Sequence, residues 1–159
     1  MRGTDTPRSS PLVPDTVRAE IARHDWASVV CGCGRPAAHL ADMLWDAAEG
    51  HPAAFHALQG HVFTGARLWP PAAAACGVLM AVWAAGPPRQ ATREALLWTL
   101  LSLLSAEDDG TPYEAGLYGQ CAAHVRAGLP LLVTVLEAGP GSVSGAYAEG
   151  ILELLVLSA

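Results

Sequence analysis

The chain has 159 residues, enough for one domain with a single sizeable core. Its 52% hydrophobic and 15% charged residues exclude a disordered tail, which needs the opposite balance. All nine basic residues are arginines, set against fifteen acidic ones for a net charge of −6. No basic stripe forms, which argues against a nucleic-acid partner and against a membrane-surface helix.

Residues 1–11 are polar and rich in Ser, Thr, Pro and Arg, and read as a loose arm; residues 12–159 are expected to form one domain. Asp15 or Thr16 is placed to cap a first helix with Val17, Ile21, Trp26, Val29 and Val30 on its apolar face, ending at Cys31-Gly32-Cys33-Gly34. A second helix is predicted from near Pro36 to Gly50, and a short third from Pro52 to about Leu58. Gly60 to Pro70 reads as a loop, and Pro70-Pro71 opens a fourth helix that closes at Gly86. The fifth, Gln90 to Ser105, is apolar almost all round and belongs in the middle of a stack.

After the acidic turn Glu107-Asp108-Asp109-Gly110, Thr111 and Glu114 have capping-box spacing for a sixth helix running to Gly128. A seventh follows from Leu129 to Ala138, and Ser142 caps the last, which runs to Leu157. No strand signal competes. The predicted fold is all-α: about eight helices in antiparallel hairpins, stacked as an α-solenoid or a compact bundle. The longest uncharged stretch, Leu68 to Pro88, is cut short by prolines below the roughly 20 residues that span a bilayer. No secretory leader pattern follows Arg2 and Arg8, and four cysteines are too sparse for a disulfide scaffold, so a cytoplasmic location with reduced thiols is expected.

Two stretches resemble HEAT-type helical repeats, as found in short actinobacterial proteins. One is Arg67-Leu68-Trp69-Pro70-Pro71 onward through Val82, continued by Arg93-Glu94-Ala95-Leu96-Leu97; the other is Val125-Arg126-Ala127-Gly128-Leu129-Pro130 through Glu137 and the turn to Ser142. Asp25-Trp26-Ala27 fits the opening helix of such a protein. The resemblance spans roughly residues 17–157 and implies a repeat fold. Such relatives carry His-Gln-Gly-Thr ahead of the aromatic-Pro pair where this chain reads Thr64-Gly65-Ala66-Arg67, so no role of that segment transfers.

The residues that bear chemistry are few. Cys31 and Cys33 are separated by one residue, with His39 six further on. Structural zinc sites want four ligands and usually two to four residues between paired cysteines, and no second Cys-x-x-Cys follows. The four cysteines therefore read as packed thiols, with no metal and no cofactor expected. His51, His56 and His61 are offset by about 140° from one to the next on a helix and share no face. Gly141-Ser142-Val143-Ser144-Gly145 lacks the register and the strand of a nucleophile elbow. Cys121 and His124 are three apart on one helix, but nothing in the sequence activates the thiol. Asp42, Asp46 and Glu49 form an acidic helix face, read first as solvated and alternatively as meeting a basic partner. Neither a calcium-loop spacing nor a phosphate-binding glycine loop is present.

The main expectation is a non-catalytic recognition module that binds a protein or peptide, with a basic partner suited to its charge, through a groove between hairpins. Its binding candidates are His61, Arg67, Trp69, Glu114 and Tyr118. The alternative is a small cofactor-independent enzyme or small-molecule binder of a specialised natural-product pathway, with a pocket lined by Trp45, Trp69, Trp83 and Trp98; His61, Glu114 and His124 would be its acid-base groups. An immunity or resistance protein is a further alternative.

Overall fold

The structure is a computed structural model that describes residues 12–65, 67–106, 116–139 and 141–157. The N-terminal arm, the acidic turn and the Thr111–Glu114 capping box lie outside the described residues. The described residues form eight α-helices: α1 (Asp15–Ala22), α2 (His39–Ala48), α3 (Pro52–His56), α4 (Ala72–Ala84), α5 (Gln90–Ser105), α6 (Leu117–Ala127), α7 (Leu129–Ala138) and α8 (Val143–Leu157). The fold is all-α, as the helical periodicity predicts, and the helices pack as a stacked bundle.

At its centre stand α4 and α5. Helix α4 packs against α1, α2, α5 and α6, while α5 packs against α3, α4, α6 and α8. Alanine, cysteine and Gly77 on α4 let neighbours approach closely, and α4 buries residues on every side, from Ala72 to Trp83. Helix α5 does the same with Ala95, Leu96, Leu97, Leu100, Leu103 and Leu104. Its two buried polar side chains are satisfied: Thr99 Oγ1 donates to the Ala95 carbonyl (2.8 Å) and Thr92 Oγ1 to that of Gly50 (3.0 Å). Ser142 caps α8, its hydroxyl accepting from the Gly145 amide at 2.9 Å.

The N-terminal third departs from the sequence expectation. Helix α1 ends at Ala22 instead of continuing to Val30, because the Trp26 indole takes the Ile21 carbonyl (2.9 Å) and the chain turns through a 3-10 segment, Trp26–Ser28. The residue ahead of α1 is Pro14, and neither Asp15 nor Thr16 acts as its cap. Two short strands, β1 (Phe63–Thr64) and β2 (Arg67–Leu68), pair antiparallel within the expected loop, with Phe63 opposite Leu68 and Thr64 opposite Arg67. Two-residue strands are too short for an alternating pattern to reveal them in the sequence. This hairpin and the turn after the 3-10 segment put side chains from distant positions into one place.

Candidate metal centre

The turn Cys31-Gly32-Cys33-Gly34-Arg35 is tied at both ends. The Cys31 amide donates to the Arg35 carbonyl (2.8 Å) and the Gly34 amide to the Cys31 carbonyl (2.9 Å), a closure that requires φ +90° at Gly34. A further bond joins this turn to the segment before β1, from the Gly32 amide to the His61 carbonyl at 2.9 Å. The approach is so close that a Cβ on Gly32 would lie 2.7 Å from Trp69 Cδ1, 2.8 Å from the Gly60 carbonyl oxygen and 2.9 Å from that of His61. Two of those atoms are backbone and cannot swing aside. Glycine is therefore required at position 32.

Four ligand atoms converge where the two segments meet the start of α2. Cys31 Sγ lies 3.2 Å from His61 Nδ1, His61 Nδ1 lies 3.2 Å from His39 Nε2, and His39 Nε2 lies 3.6 Å from Cys33 Sγ. All four lie within 4.8 Å of one another. A tetrahedral ion with bonds of about 2.3 Å to sulfur and 2.0–2.1 Å to nitrogen spaces its ligands about 3.3–3.8 Å apart, which these separations approach closely.

The surroundings differentiate the two thiols. Burial pushes the Cys31 thiol up, whereas the exposed Cys33 thiol is held below its ordinary value, chiefly by a hydrogen bond from the Arg35 backbone. His61 is pulled down by partial burial and then by the nearby His39 and Arg35, so its ring stays neutral and able to donate a lone pair at neutral pH. Trp69 roofs the Gly32 turn, donates from Nε1 to Thr64 Oγ1 (2.8 Å), and carries the Arg67 guanidinium 4.4 Å above its ring.

Of the residues singled out in the sequence, His61, Arg67 and Trp69 thus gather at one place. Tyr118 is buried in α6, His124 sits on the same helix some distance along the chain from this cluster, and Glu114 lies outside the described residues. Of the tryptophans, Trp45 and Trp83 are core residues, while Trp98 packs on His56 and Phe63. A cleft of about 230 Å³ between α1, the end of α2 and the α4–α5 turn is lined by other residues, including Leu12, Val17, Glu49, Val82, Arg89 and Thr92. Cys76 and Cys121 are buried, as packed thiols should be, and Cys76 Sγ lies 3.5 Å from the Cys121 carbonyl. In the sequence, the one-residue spacer and the lack of a second Cys-x-x-Cys weigh against a metal. The structure brings His61, thirty positions from Cys31, in as the fourth member of the group. The overlooked signal was the pair of glycines that lets the cysteine turn lie flat against the His61 backbone.

No protein-family model, curated protein or solved structure matches the chain.

Proposed function

We propose that the protein binds a transition-metal ion, zinc by its chemistry, through Cys31, Cys33, His39 and His61, and that the ion fastens the Cys31–Arg35 turn and the β1–β2 hairpin to the helical stack. The observation that supports this reading is the convergence of two sulfur and two nitrogen atoms at separations suited to a tetrahedral ion. Thiolate and imidazole donors favour zinc or copper(I) over magnesium or calcium. Four protein ligands complete a tetrahedron and leave no position for substrate, so the ion's role here is to hold structure. The reading replaces the expectation that all four cysteines are inert packing. It lies nearer to the small-ligand alternative than to a peptide groove, with the ligand a metal ion.

The test is titration of the full chain with Co²⁺ followed by Zn²⁺, read by absorbance. Wild type is expected to take up one equivalent with thiolate-to-cobalt charge-transfer and tetrahedral ligand-field bands, which Zn²⁺ then erases. Cys33→Ser and His61→Gln should each lose these bands while keeping the helical circular dichroism of wild type. A wild-type protein with no more Co²⁺ absorbance than Cys33→Ser overturns the proposal.

A further inference from the structure

At the opposite end of the chain, α7 has the sequence Leu129-Pro-Leu-Leu-Val-Thr-Val-Leu-Glu-Ala138, almost wholly apolar, yet buries only Leu132. Its principal packing partner is α8. Leu129, Val133 and Leu136 share one face at i, i+4 and i+7, and the first two are 39% and 38% exposed. On α8, Glu149, Leu152, Glu153 and Val156 repeat at i, i+3, i+4 and i+7, and together with Leu136 they line an open groove of about 600 Å³. Val156 is 74% exposed. An apolar strip of this kind, edged by charge, has the form of a helix-binding groove.

Charge selects the occupant. Glu137, Glu149 and Glu153 are exposed along this hairpin, and from residue 127 to the end the sequence has no Lys or Arg. The nearest preceding cation, Arg126, donates from Nη2 to the Leu155 carbonyl at 3.0 Å, close to the end of α8. We propose that the α7–α8 face docks a basic amphipathic helix of a partner protein, its apolar stripe on Leu129, Val133, Leu136, Leu152 and Val156 and its Lys or Arg residues beside Glu149 and Glu153. A second copy of this chain would bring like carboxylates together across the contact, and an anionic lipid surface would meet the same repulsion. The proposal is independent of the metal site, from which it shares no residue.

The probe is a fluorescein-labelled amphipathic helix of about eighteen residues, long enough to match α8, with a Leu stripe flanked by Lys. Its Glu-for-Lys counterpart is the control, and binding to the full chain is read by fluorescence anisotropy. The Lys probe is expected to bind one-to-one and the Glu probe not to bind. The pair Glu149→Lys/Glu153→Lys should weaken the Lys probe about tenfold or more, and Val156→Asp should weaken it comparably. Reversal of the remote acidic pair, Asp42→Lys/Asp46→Lys, should leave affinity within about twofold. Absent binding, or equal weakening by both reversals, overturns the proposal. So does a stable dimer in sedimentation that Val156→Asp dissociates, since the face would then serve self-association.

Discussion

In α4 and α5 nearly every turn of helix buries an aliphatic side chain, and the backbone satisfies itself through helical hydrogen bonds. Between Val29 and Trp69 the balance differs. Helices α2 and α3 contribute Leu40, Leu44 and Phe55 to the core, but the turns that precede and follow them hold their shape by isolated bonds: Val30 bridged to Pro36, Gly32 to His61, Gly60 to Phe63. The stack is held by area removed from water. The cluster region buries Leu58, Val62, Phe63 and Leu68 as well, adds a few directed contacts, and brings four ligand atoms within 4.8 Å of one another. An ion bound there would add its binding free energy to the stability of this region.

Core truncation should give the largest effect and act on the whole molecule. Leu97→Ala, at a fully buried position in α5, is expected to cost about 2–5 kcal/mol in urea unfolding while leaving one Co²⁺ bound per folded chain. Chelation should come next and act regionally. Removing an ion present at a hundred times its Kd withdraws about 2.7 kcal/mol, and amide exchange should accelerate in residues 29–36 and 58–69 while α5 keeps its protection. If α5 loses protection equally, the distinction between the two regions fails. Gly32→Ala is expected to cost about 1–3 kcal/mol and to impair Co²⁺ binding, because its methyl group meets two carbonyl oxygens. Thr64→Val removes the acceptor of the Trp69 indole and should cost at most about 1 kcal/mol, visible as a shift in tryptophan emission.

The smallest effect concerns pH: in the stack it involves Glu20 and His124, and the lowered His61 of the cluster adds a step of the same sign. Glu20 on α1 bonds to His24 (3.0 Å) and Arg23 (3.1 Å), and a Cβ on Gly77 of α4 would lie 3.0 Å from the Glu20 carboxylate and 3.1 Å from the His124 ring. Burial pushes the Glu20 carboxyl up, but the hydrogen bonds from His24 and Arg23 outweigh it and leave the group below its usual value. His124 is held below its usual 6.5, chiefly by burial. Both folded-state values are depressed, so both contributions are complete above the unfolded values and are lost as pH falls. Stability should decline first below about 6.5 through His124 and again below about 4.5 through Glu20. Comparing His124→Gln with wild type at pH 7.5 and pH 5 isolates the first step: the variant should lose less stability between them.

The helical stack was legible because its signals are periodic and local. Gln90–Ser105 and Leu129–Ala138 have the bounds that glycine, proline and apolar spacing predict. Local spacing also made Cys31, Cys33 and His39 visible as an incomplete set. What it could not reveal is that His61 completes the group, since that depends on α2 and α3 doubling the chain back over thirty residues and on a two-residue hairpin without alternation. The four tryptophans expected to line a pocket each have a packing place: Trp45 and Trp83 in the core, Trp98 on His56 and Phe63, and Trp69 over Gly32.

That thirty-residue separation gives a bound ion the character of a removable cross-link. With Cys31 and His61 joined through one atom, the intervening chain is a closed ring containing α2 and α3. A protease that nicks the ring between Asp46 and Gln59 leaves two fragments still tethered by the ion, His39 with both cysteines on one side and His61 on the other. Packing of α1 and α2 on α4 also holds the fragments together, so a chelator should lower the urea concentration at which they separate, as reduction does for the halves of a disulfide-linked protein.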